Sequence, residues 1–301
     1  MKARSVVAAF LLALFGFFAP LQALAADSAP EVVQARPTLW RVHGNHGTVY
    51  LFGSIHVLPL NVNWHSPDVN RAMEHADVFV FEVAIDDNTD ARIRQLIDTQ
   101  GTLPPGQNLR GLLSPASQAD YDRALAFLDL PRATVDDKRP WLATLMMYAS
   151  VLLKHDQLTD TGVDKIVTGE AKALGKEIRT FETVDQQIEL IKPSDPDAEL
   201  QIFVMELQTL EAEDVYVVKM THAWETGDAA TVAEITDAIF AGYPQQRATL
   251  LTVRNNAWLK TIEGMLDEHK TFFITVGASH LVGDGGLPAL LRAAGYTVDG
   301  P

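Results

Sequence analysis

The chain has 301 residues, which is enough for one large domain or two small ones. Apolar residues make up 47% of it and charged residues 21%, so a core of normal size can be buried and a wholly disordered chain is excluded. The formal charge of −15 opposes contact with phosphate backbones, and we expect no nucleic-acid partner. The chain contains no cysteine, which excludes disulfides, thiol catalysis and a lipid anchor on cysteine.

The first segment of the chain is typical of a secretory signal peptide. Lys2 and Arg4 precede an apolar run at residues 6–18, and the small-residue sequence at residues 23–26 provides a cleavage site. Cleavage removes two cations and no acids, so the formal charge changes from −15 to −17. We expect a periplasmic or secreted protein with no stable membrane span after cleavage. An uncleaved membrane anchor is the alternative.

These patterns divide the chain into three parts. Residues 1–25 are the expected signal peptide, and residues 26–37 are polar and are expected to form a flexible leader. Residues 38–301 are expected to form a single domain. No short repeat of the solenoid type is present.

Apolar periodicity predicts an α/β fold, with a central, mostly parallel sheet, flanking helices and a large helical middle section. Strands are predicted at residues 48–52, 77–81, 177–181, 271–276 and 296–298. Helices are predicted at residues 66–76, 114–128, 140–154, 162–174 and 287–294, with a helical stretch at 196–269 that breaks near 227 and 242–244. The order strand, helix, strand over residues 48–81 is a βαβ unit, whose two strands should be parallel.

Four of the predicted strands are followed by a side chain that can bind a metal. These side chains are His56, Glu82, Glu182 and His280. Because functional sites in open α/β sheets form beyond the carboxyl ends of the strands, we expect the four to meet at one edge. Imidazole and carboxylate ligands suit a divalent ion such as Mn, Co or Zn.

The two histidines stand in similar motifs. Gly53 precedes His56 by three residues, and Gly277 precedes His280 by the same spacing. Glycine allows the chain to turn sharply as it leaves a buried strand. Ser54 and Ser279 are close enough in sequence to be expected as hydrogen-bond partners of the histidines. A loop histidine without a metal remains the alternative for either motif alone.

Other catalytic classes have little support. No G-x-S-x-G nucleophile motif, H-E-x-x-H helix, G-x-G-x-x-G turn or P-loop is present. The glycine-rich segment at residues 283–286 has no lysine, and a turn or lid beside His280 is the simpler interpretation. His43 and His46 are expected to lie in a solvent-exposed hairpin loop, with a supporting role at the first motif as the alternative.

The motifs in this order resemble the TraB/GumN family. The matching segments are Leu39-Trp40, residues 50–56, Val80 to Glu82, Gly162 to Asp164, Phe181 to Thr183 with Gln187, Trp224 with Gly227-Asp228, Arg254-Asn255 with Trp258, residues 277–280, residues 283–287 and Gly295-Tyr296. They cover nearly all of the expected domain. The first motif has Ser54 where the family usually has threonine, and the hydroxyl is retained.

The resemblance implies a fold and a chemistry. The family is related to the TIKI metalloproteases and, more remotely, to the erythromycin-esterase and ChaN-like proteins. It implies an α/β fold in which the paired G-x-x-H motifs and a glutamate form a metal-dependent, peptidase-like site. It identifies neither the substrate nor the oligomeric state. The substrate is expected to be a peptide or a small molecule.

We therefore interpret the chain as a metal-dependent hydrolase. His56 and His280 are expected as metal ligands, with Glu82 as a third ligand or as the general base that takes a proton from water. Glu182 and Arg254 are expected to support catalysis, Arg254 because a cation can stabilise an oxyanion. The alternative from another class is a non-catalytic envelope protein that binds a metal, haem or a signalling peptide at the same site. A purely structural role for the histidines is a third interpretation.

Overall fold

The computed structural model describes residues 32–83, 87–154, 157–158, 162–192 and 195–301. The expected signal peptide lies outside the described residues, as do residues 26–31 of the expected leader. The strands are β1 (Val33–Gln34), β2 (Leu39–His43), β3 (Thr48–Ser54), β4 (Leu58–Pro59), β5 (Val62–Asn63), β6 (Val78–Phe81), β7 (Gln157–Leu158), β8 (Glu177–Thr180), β9 (Thr271–Gly277) and β10 (Thr297–Asp299).

The helices surround these strands in the sequence. They are α1 (Pro67–His75), α2 (Asp87–Gln100), α3 (Leu109–Leu112), α4 (Pro115–Leu128), α5 (Arg132–Val135), α6 (Pro140–Leu153), α7 (Val163–Ala173), α8 (Val184–Ile191), α9 (Pro196–Thr226), α10 (Ala229–Phe240), α11 (Pro244–Arg247), α12 (Val253–Asp267) and α13 (Leu287–Ala293). A π-helical turn, Ala248–Thr252, joins α11 to α12, and a 3-10 turn, Ala278–His280, follows β9. Within the described residues, no helix is long and apolar enough to cross a bilayer.

A six-stranded sheet organises the fold. Its strand order is β10-β2-β3-β9-β6-β8, and the four strands from β3 to β8 are parallel. β2 extends the β3 edge in antiparallel orientation, and β10 pairs antiparallel with β2 at the end of the sheet. The fold class predicted from the sequence, an α/β fold with a central and mostly parallel sheet, is therefore confirmed. The predicted βαβ unit is also parallel, although β9 lies between its two strands.

Both faces of the sheet are covered, which explains its continuous apolar strands. Along β3, Val49 and Leu51 pack on one face together with α12 and α13, whereas Phe52 packs on the other with α1 and α7. Phe273 of β9 lies beside Phe52 with ring centroids 5.6 Å apart. Because each face is sealed by helices, the carboxyl edge of the strands is where polar side chains can collect.

The helical middle section has a core of its own. Helices α4, α6 and α9 pack together through buried residues that include Tyr121, Trp141, Phe203 and Leu207. Helix α6 is buried on nearly every side, as expected for its almost wholly apolar sequence. The carboxyl end of α9 reaches the sheet, where Trp224 Nε1 donates to the backbone oxygen of Gly53 at 2.7 Å.

Most predicted elements lie within one or two residues of their observed bounds. The cap signals were informative: Ser66 accepts from the backbone of Val69, and Gly175 adopts a φ of 65° beyond α7. The predicted ends of two strands were wrong, since β3 continues through Gly53 to Ser54 and β9 includes Gly277. Helices α2 and α8 and strand β2 were not predicted.

The carboxyl end of the expected leader contains a short strand. Val33 and Gln34 form β1, which pairs in parallel with β5, and Ala35 is buried. The backbone N–H of Val33 donates to Asn61 O at 2.8 Å. The end of this segment is therefore fixed beside the loop that follows His56, because β5 offers it a free edge.

Gly162 and Gly169 provide a test of how α7 is positioned. A Cβ atom at Gly162 would lie 2.2 Å from the backbone oxygen of His56, whereas one at Gly169 would meet nothing within 4 Å. Gly162→Ala should therefore lower the free energy of unfolding by about 1–3 kcal/mol, because backbone must shift. Gly169→Ala, within the same helical segment, should raise it by about 0.5–1 kcal/mol through helix propensity.

Urea denaturation of both variants measures the effect. A Gly162→Ala protein as stable as the parent would contradict the close approach of α7 to the His56 loop.

Candidate functional site

Four parallel strands end at the same edge of the sheet. β3 leads to His56, β9 to His280, β6 to Glu82 and β8 to Glu182. The strands are consecutive in the order β3-β9-β6-β8, so these four side chains come from neighbouring strand ends. The backbone N–H of Glu182 donates to the backbone oxygen of Glu82 at 2.8 Å, which extends the β6–β8 pairing up to the site.

Gly277 lies between three of these side chains. Its backbone N–H donates to Oε1 of Glu82 at 2.7 Å. A Cβ atom on Gly277 would lie 3.4 Å from Oε1 of Glu82, 3.7 Å from Cδ2 of His280 and 3.8 Å from Nε2 of His56. Three candidate ligands therefore surround one point, and the lack of a side chain on Gly277 leaves that point open.

His56 is held by Asp164 of α7. Nδ1 of His56 lies 2.6 Å from Oδ2 of Asp164, and both side chains are about nine-tenths buried. Because a carboxylate only accepts, Nδ1 carries the proton and Nε2 of the neutral ring carries the lone pair. Burial alone would lower the pKa of His56, but the charge and hydrogen bond of Asp164 outweigh it, and the pKa is raised above 6.5.

His280 is fully buried and is held by Asn255 of α12. The Asn255 amide nitrogen donates to two backbone oxygens, of His280 at 3.3 Å and of Gly285 at 2.8 Å. Its Oδ1 therefore faces the ring and accepts from Nδ1 of His280 at 2.5 Å, which leaves the lone pair on Nε2. Burial and the nearby Arg254 lower the pKa of His280 to about 3, so the ring is neutral.

Arg254 connects the strand ends through its guanidinium. Nη2 donates to Oε2 of Glu82 at 2.5 Å and to Oε2 of Glu182 at 2.8 Å, and Nε donates to Oε1 of Glu182 at 2.7 Å. Nη1 lies 3.0 Å from Nε2 of His280. Burial opposes the charge, but the two glutamates raise the pKa of Arg254, so it is a buried cation. The Trp258 ring lies beneath it, 4.6 Å from Cζ.

The backbone that carries Arg254 is unusual. The π-helical turn directly precedes α12, and the backbone oxygen of Leu250 within it accepts from Nη1 of Arg254 at 3.1 Å. π-Turns are rare and often lie at functional sites, because they redirect the side chains that follow. Here the turn precedes the residues of α12 that reach the sheet edge, Arg254 and Asn255.

Glu82 is ionised and accepts hydrogen bonds from three residues. Burial alone would raise its pKa, but the charge of Arg254, the neighbouring imidazoles and the hydrogen bond from Gly277 together lower the pKa to about 2. Gln187 of α8 donates to Oε2 of Glu82 and to Oε2 of Glu182, each at 3.3 Å. Glu82 contacts the groups of both motifs, whereas Glu182 contacts mainly Arg254.

The donor chemistry fits a divalent cation. His56 and His280 both have Nδ1 held by an oxygen acceptor, the arrangement that orients an imidazole ligand. Nε2 of His280 and Oε1 of Glu82 are 3.9 Å apart. Two donor atoms bound to one tetrahedral ion are about 3.4 Å from each other. In their present arrangement, however, the described residues include no group of three His, Cys, Asp or Glu side chains placed to hold a metal.

Sequence reasoning missed the partners of both histidines. The expected partners Ser54 and Ser279 were wrong: Ser54 Oγ is buried without a hydrogen-bond partner among the described residues, and Ser279 Oγ pairs with Thr236 at 2.9 Å. Asp164 and Asn255 take this role instead. Both stand in segments that carry the family resemblance, which was the available signal, but their contacts depend on how α7 and α12 pack on the sheet.

The remaining histidines near the first motif lie elsewhere. His43 is in β2, not in a hairpin loop, and lies 2.6 Å from Asp299 at the amino end of β3. His46 is in the turn before β3 and its ring packs against His269 at 4.5 Å. Neither residue supports the site, because both are at the opposite end of the sheet.

Comparison with known proteins finds one family model and two named relatives. The family model described as TraB/PrgY/gumN matches residues 38–300. "Metalloprotease TIKI1" of Danio rerio is 24% identical over an alignment 303 positions long, which covers 83% of this chain and 60% of that protein. "Metalloprotease TIKI1" of Homo sapiens is 23% identical over an alignment 321 positions long, which covers 90% of this chain and 63% of that protein. The chain thus spans under two thirds of these relatives, and no solved structure matches it.

The depressed pKa of His280 predicts acid sensitivity of the fold. The unfolded ring takes up a proton near pH 6.5, but the folded ring does so only near pH 3, so stability is lost as the pH falls between these values. Glu82 adds to the loss only below its unfolded value of 4.5. His56, whose pKa is raised, contributes a stabilisation that is fully present below 6.5.

Unfolding of chelator-treated protein between pH 6.5 and about 5 should therefore show the loss of stability that the neutral His280 causes as the pH falls. The free energy of unfolding of the parent should fall more steeply than that of His280→Gln, by up to about 1.4 kcal/mol per pH unit, the slope of one proton. Equal slopes would mean that His280 is protonated in the folded protein.

Proposed function

We propose that this chain, which belongs to the TraB/PrgY/gumN family, is a metal-dependent hydrolase that acts on peptides. One observation carries the proposal. His56, His280 and Glu82 surround Gly277 at a single edge of the sheet, and the two imidazoles present their Nε2 atoms with Nδ1 held elsewhere. In this proposal His56, His280 and Glu82 hold a divalent ion such as Mn, Co or Zn.

The charge of the cluster supports a cation. Glu82, Glu182 and Asp164 contribute three carboxylates, against which Arg254 supplies one permanent positive charge. A bound divalent ion would lower the pKa of a water molecule and polarise the carbonyl of the substrate. The net negative charge of these side chains favours such an ion, and their burial strengthens the attraction.

The side chains have separate roles in this proposal. Glu82, ionised at neutral pH, serves as the third ligand or takes the proton from the attacking water. Arg254 is a donor with a charge that can stabilise an oxyanion, and Glu182 fixes its guanidinium through two hydrogen bonds. Asp164 and Asn255 are positioning residues, since they act on the imidazoles rather than on the substrate.

The named relatives and the first residues of the chain bear on the substrate and the compartment. The relatives named metalloproteases favour a peptide, and the signal-like residues 1–25 favour export to the periplasm or the medium. Metal binding without cleavage of any peptide would favour the alternative, a non-catalytic envelope protein.

Glu82 should matter more than Glu182. Glu82→Gln keeps the shape of the side chain but removes the charge next to both histidines, and it should lower kcat/KM by at least about 100-fold. Glu182→Gln removes only a partner of Arg254 and should retain measurable activity in excess metal. Cleavage of a peptide library by both variants compares them. An inactive Glu182→Gln beside a fully active Glu82→Gln would reverse the assignment.

His56 and His280 should bind one ion together. His56→Ala and His280→Ala should each lose most of the bound metal, and the double variant should be scarcely worse, because ligands of one site act as a unit. Each should also lose the rise in melting temperature that metal gives the parent. Calorimetric titration of chelator-treated, untagged protein measures the stoichiometry. His75→Ala replaces an exposed histidine of α1 and is a matched control that should bind as the parent does. One-to-one binding of unchanged affinity in either site variant would disprove a shared ion.

A further inference from the structure

Arg254 contacts atoms that the proposed metal would need. Nε2 of His280 has one lone pair, and Nη1 of Arg254 lies 3.0 Å from it. Oε2 of Glu82 accepts from Nη2 of Arg254 at 2.5 Å, while Oε1 accepts from Gly277. Two of the three proposed ligands are therefore engaged by one guanidinium, and an imidazole lone pair cannot serve an N–H donor and a metal ion at once.

Arg254 also pairs with Glu182, through hydrogen bonds that are separate from its contacts with His280 and Glu82. Its two oxygens accept from Nε and Nη2 of Arg254, the paired geometry that a carboxylate and a guanidinium prefer. These bonds do not involve His280, and Glu82 takes part in neither. A guanidinium that leaves His280 and Glu82 can therefore remain paired with Glu182, and its charge does not become unpaired in the interior.

We propose that Arg254 and a divalent metal ion compete for Nε2 of His280 and Oε2 of Glu82, so that Arg254 sets the metal affinity of the site. This inference rests on the proposed function, since it assumes the same ligands. Metal binding releases His280 and Glu82 from the guanidinium, which keeps its two hydrogen bonds to Glu182. The competition makes the site selective for ions that bind imidazole and carboxylate strongly enough to displace an internal cation.

Removing the guanidinium tests the competition. Arg254→Gln should bind Zn²⁺, Mn²⁺ or Co²⁺ at least about tenfold more tightly than the parent, because it removes both a competitor and a repelling charge. Arg247→Gln makes the same charge change on a partly exposed side chain about two helical turns away, paired with Asp237, and should leave the affinity unchanged. Each protein is stripped with chelator and titrated with one metal salt by calorimetry, so the readout is independent of activity.

A double-mutant cycle separates competition from simple charge effects. Glu182→Gln should weaken metal binding in the parent, because it leaves Arg254 with no carboxylate but Glu82. If Glu182 acts through Arg254, the same substitution should have little effect in the Arg254→Gln background. An equal effect in both backgrounds would mean that Glu182 acts only through its charge, and the competition would be refuted.

The outcomes distinguish this inference from the proposed function. Tight metal binding by Arg254→Gln, with weaker metal binding by the parent, supports both the competition and the proposed metal site. Equal or weaker binding by Arg254→Gln overturns the competition but leaves the metal site intact. No binding by either protein overturns both. If Arg254→Gln does not fold, Arg254→Lys replaces it. Lysine lacks the planar fork whose separate nitrogens contact Glu182, Glu82 and His280, so this variant should also bind metal more tightly.

Discussion

The Arg254 guanidinium is buried where four strands end, and the rest of the site depends on how its charge is compensated. Glu82 and Glu182 lie on separate strands, and both pair with it. An isolated charge in this position would be very costly, whereas a paired and fully hydrogen-bonded one is tolerated. The pairing therefore requires the ends of β6 and β8 and the start of α12 to keep fixed positions relative to one another, although Glu82 and Arg254 are 172 residues apart in sequence.

The same requirement explains the packing around the site. Trp258 lies against both Arg254 and His280, and Phe181 stacks on Trp258 at 4.9 Å. These rings exclude water from one side of the cluster, which strengthens the electrostatic interactions inside it. The two histidines consequently differ in character: His56 lies beside a carboxylate and is easily protonated, while His280 lies beside an amide and a cation and stays neutral.

The sequence predicted the central sheet and most long helices because their signals are local. Serine and proline at positions 66 and 67 define the start of α1, and the strand before Glu82 is a compact apolar run. α2 was missed because its sequence is mostly polar. β2 is a short strand interrupted by Arg41, and it was missed although its hairpin with β3 is local. The positions of Asp164 and Asn255 beside the histidines follow from helix packing, which no local pattern encodes.

Helix α9 has a mechanical consequence. It runs without interruption from the helical core at Phe203 to Trp224, whose indole N–H holds the backbone oxygen of Gly53 in the first histidine motif. The distance along the helix axis between these two residues is roughly 30 Å. Since an α-helix resists bending, a tilt of about 5° at the Phe203 end would carry Trp224 by about 3 Å. That displacement is comparable to the length of the hydrogen bond itself, so Trp224 keeps its hydrogen bond to Gly53 only while α9 holds its orientation on the helical core.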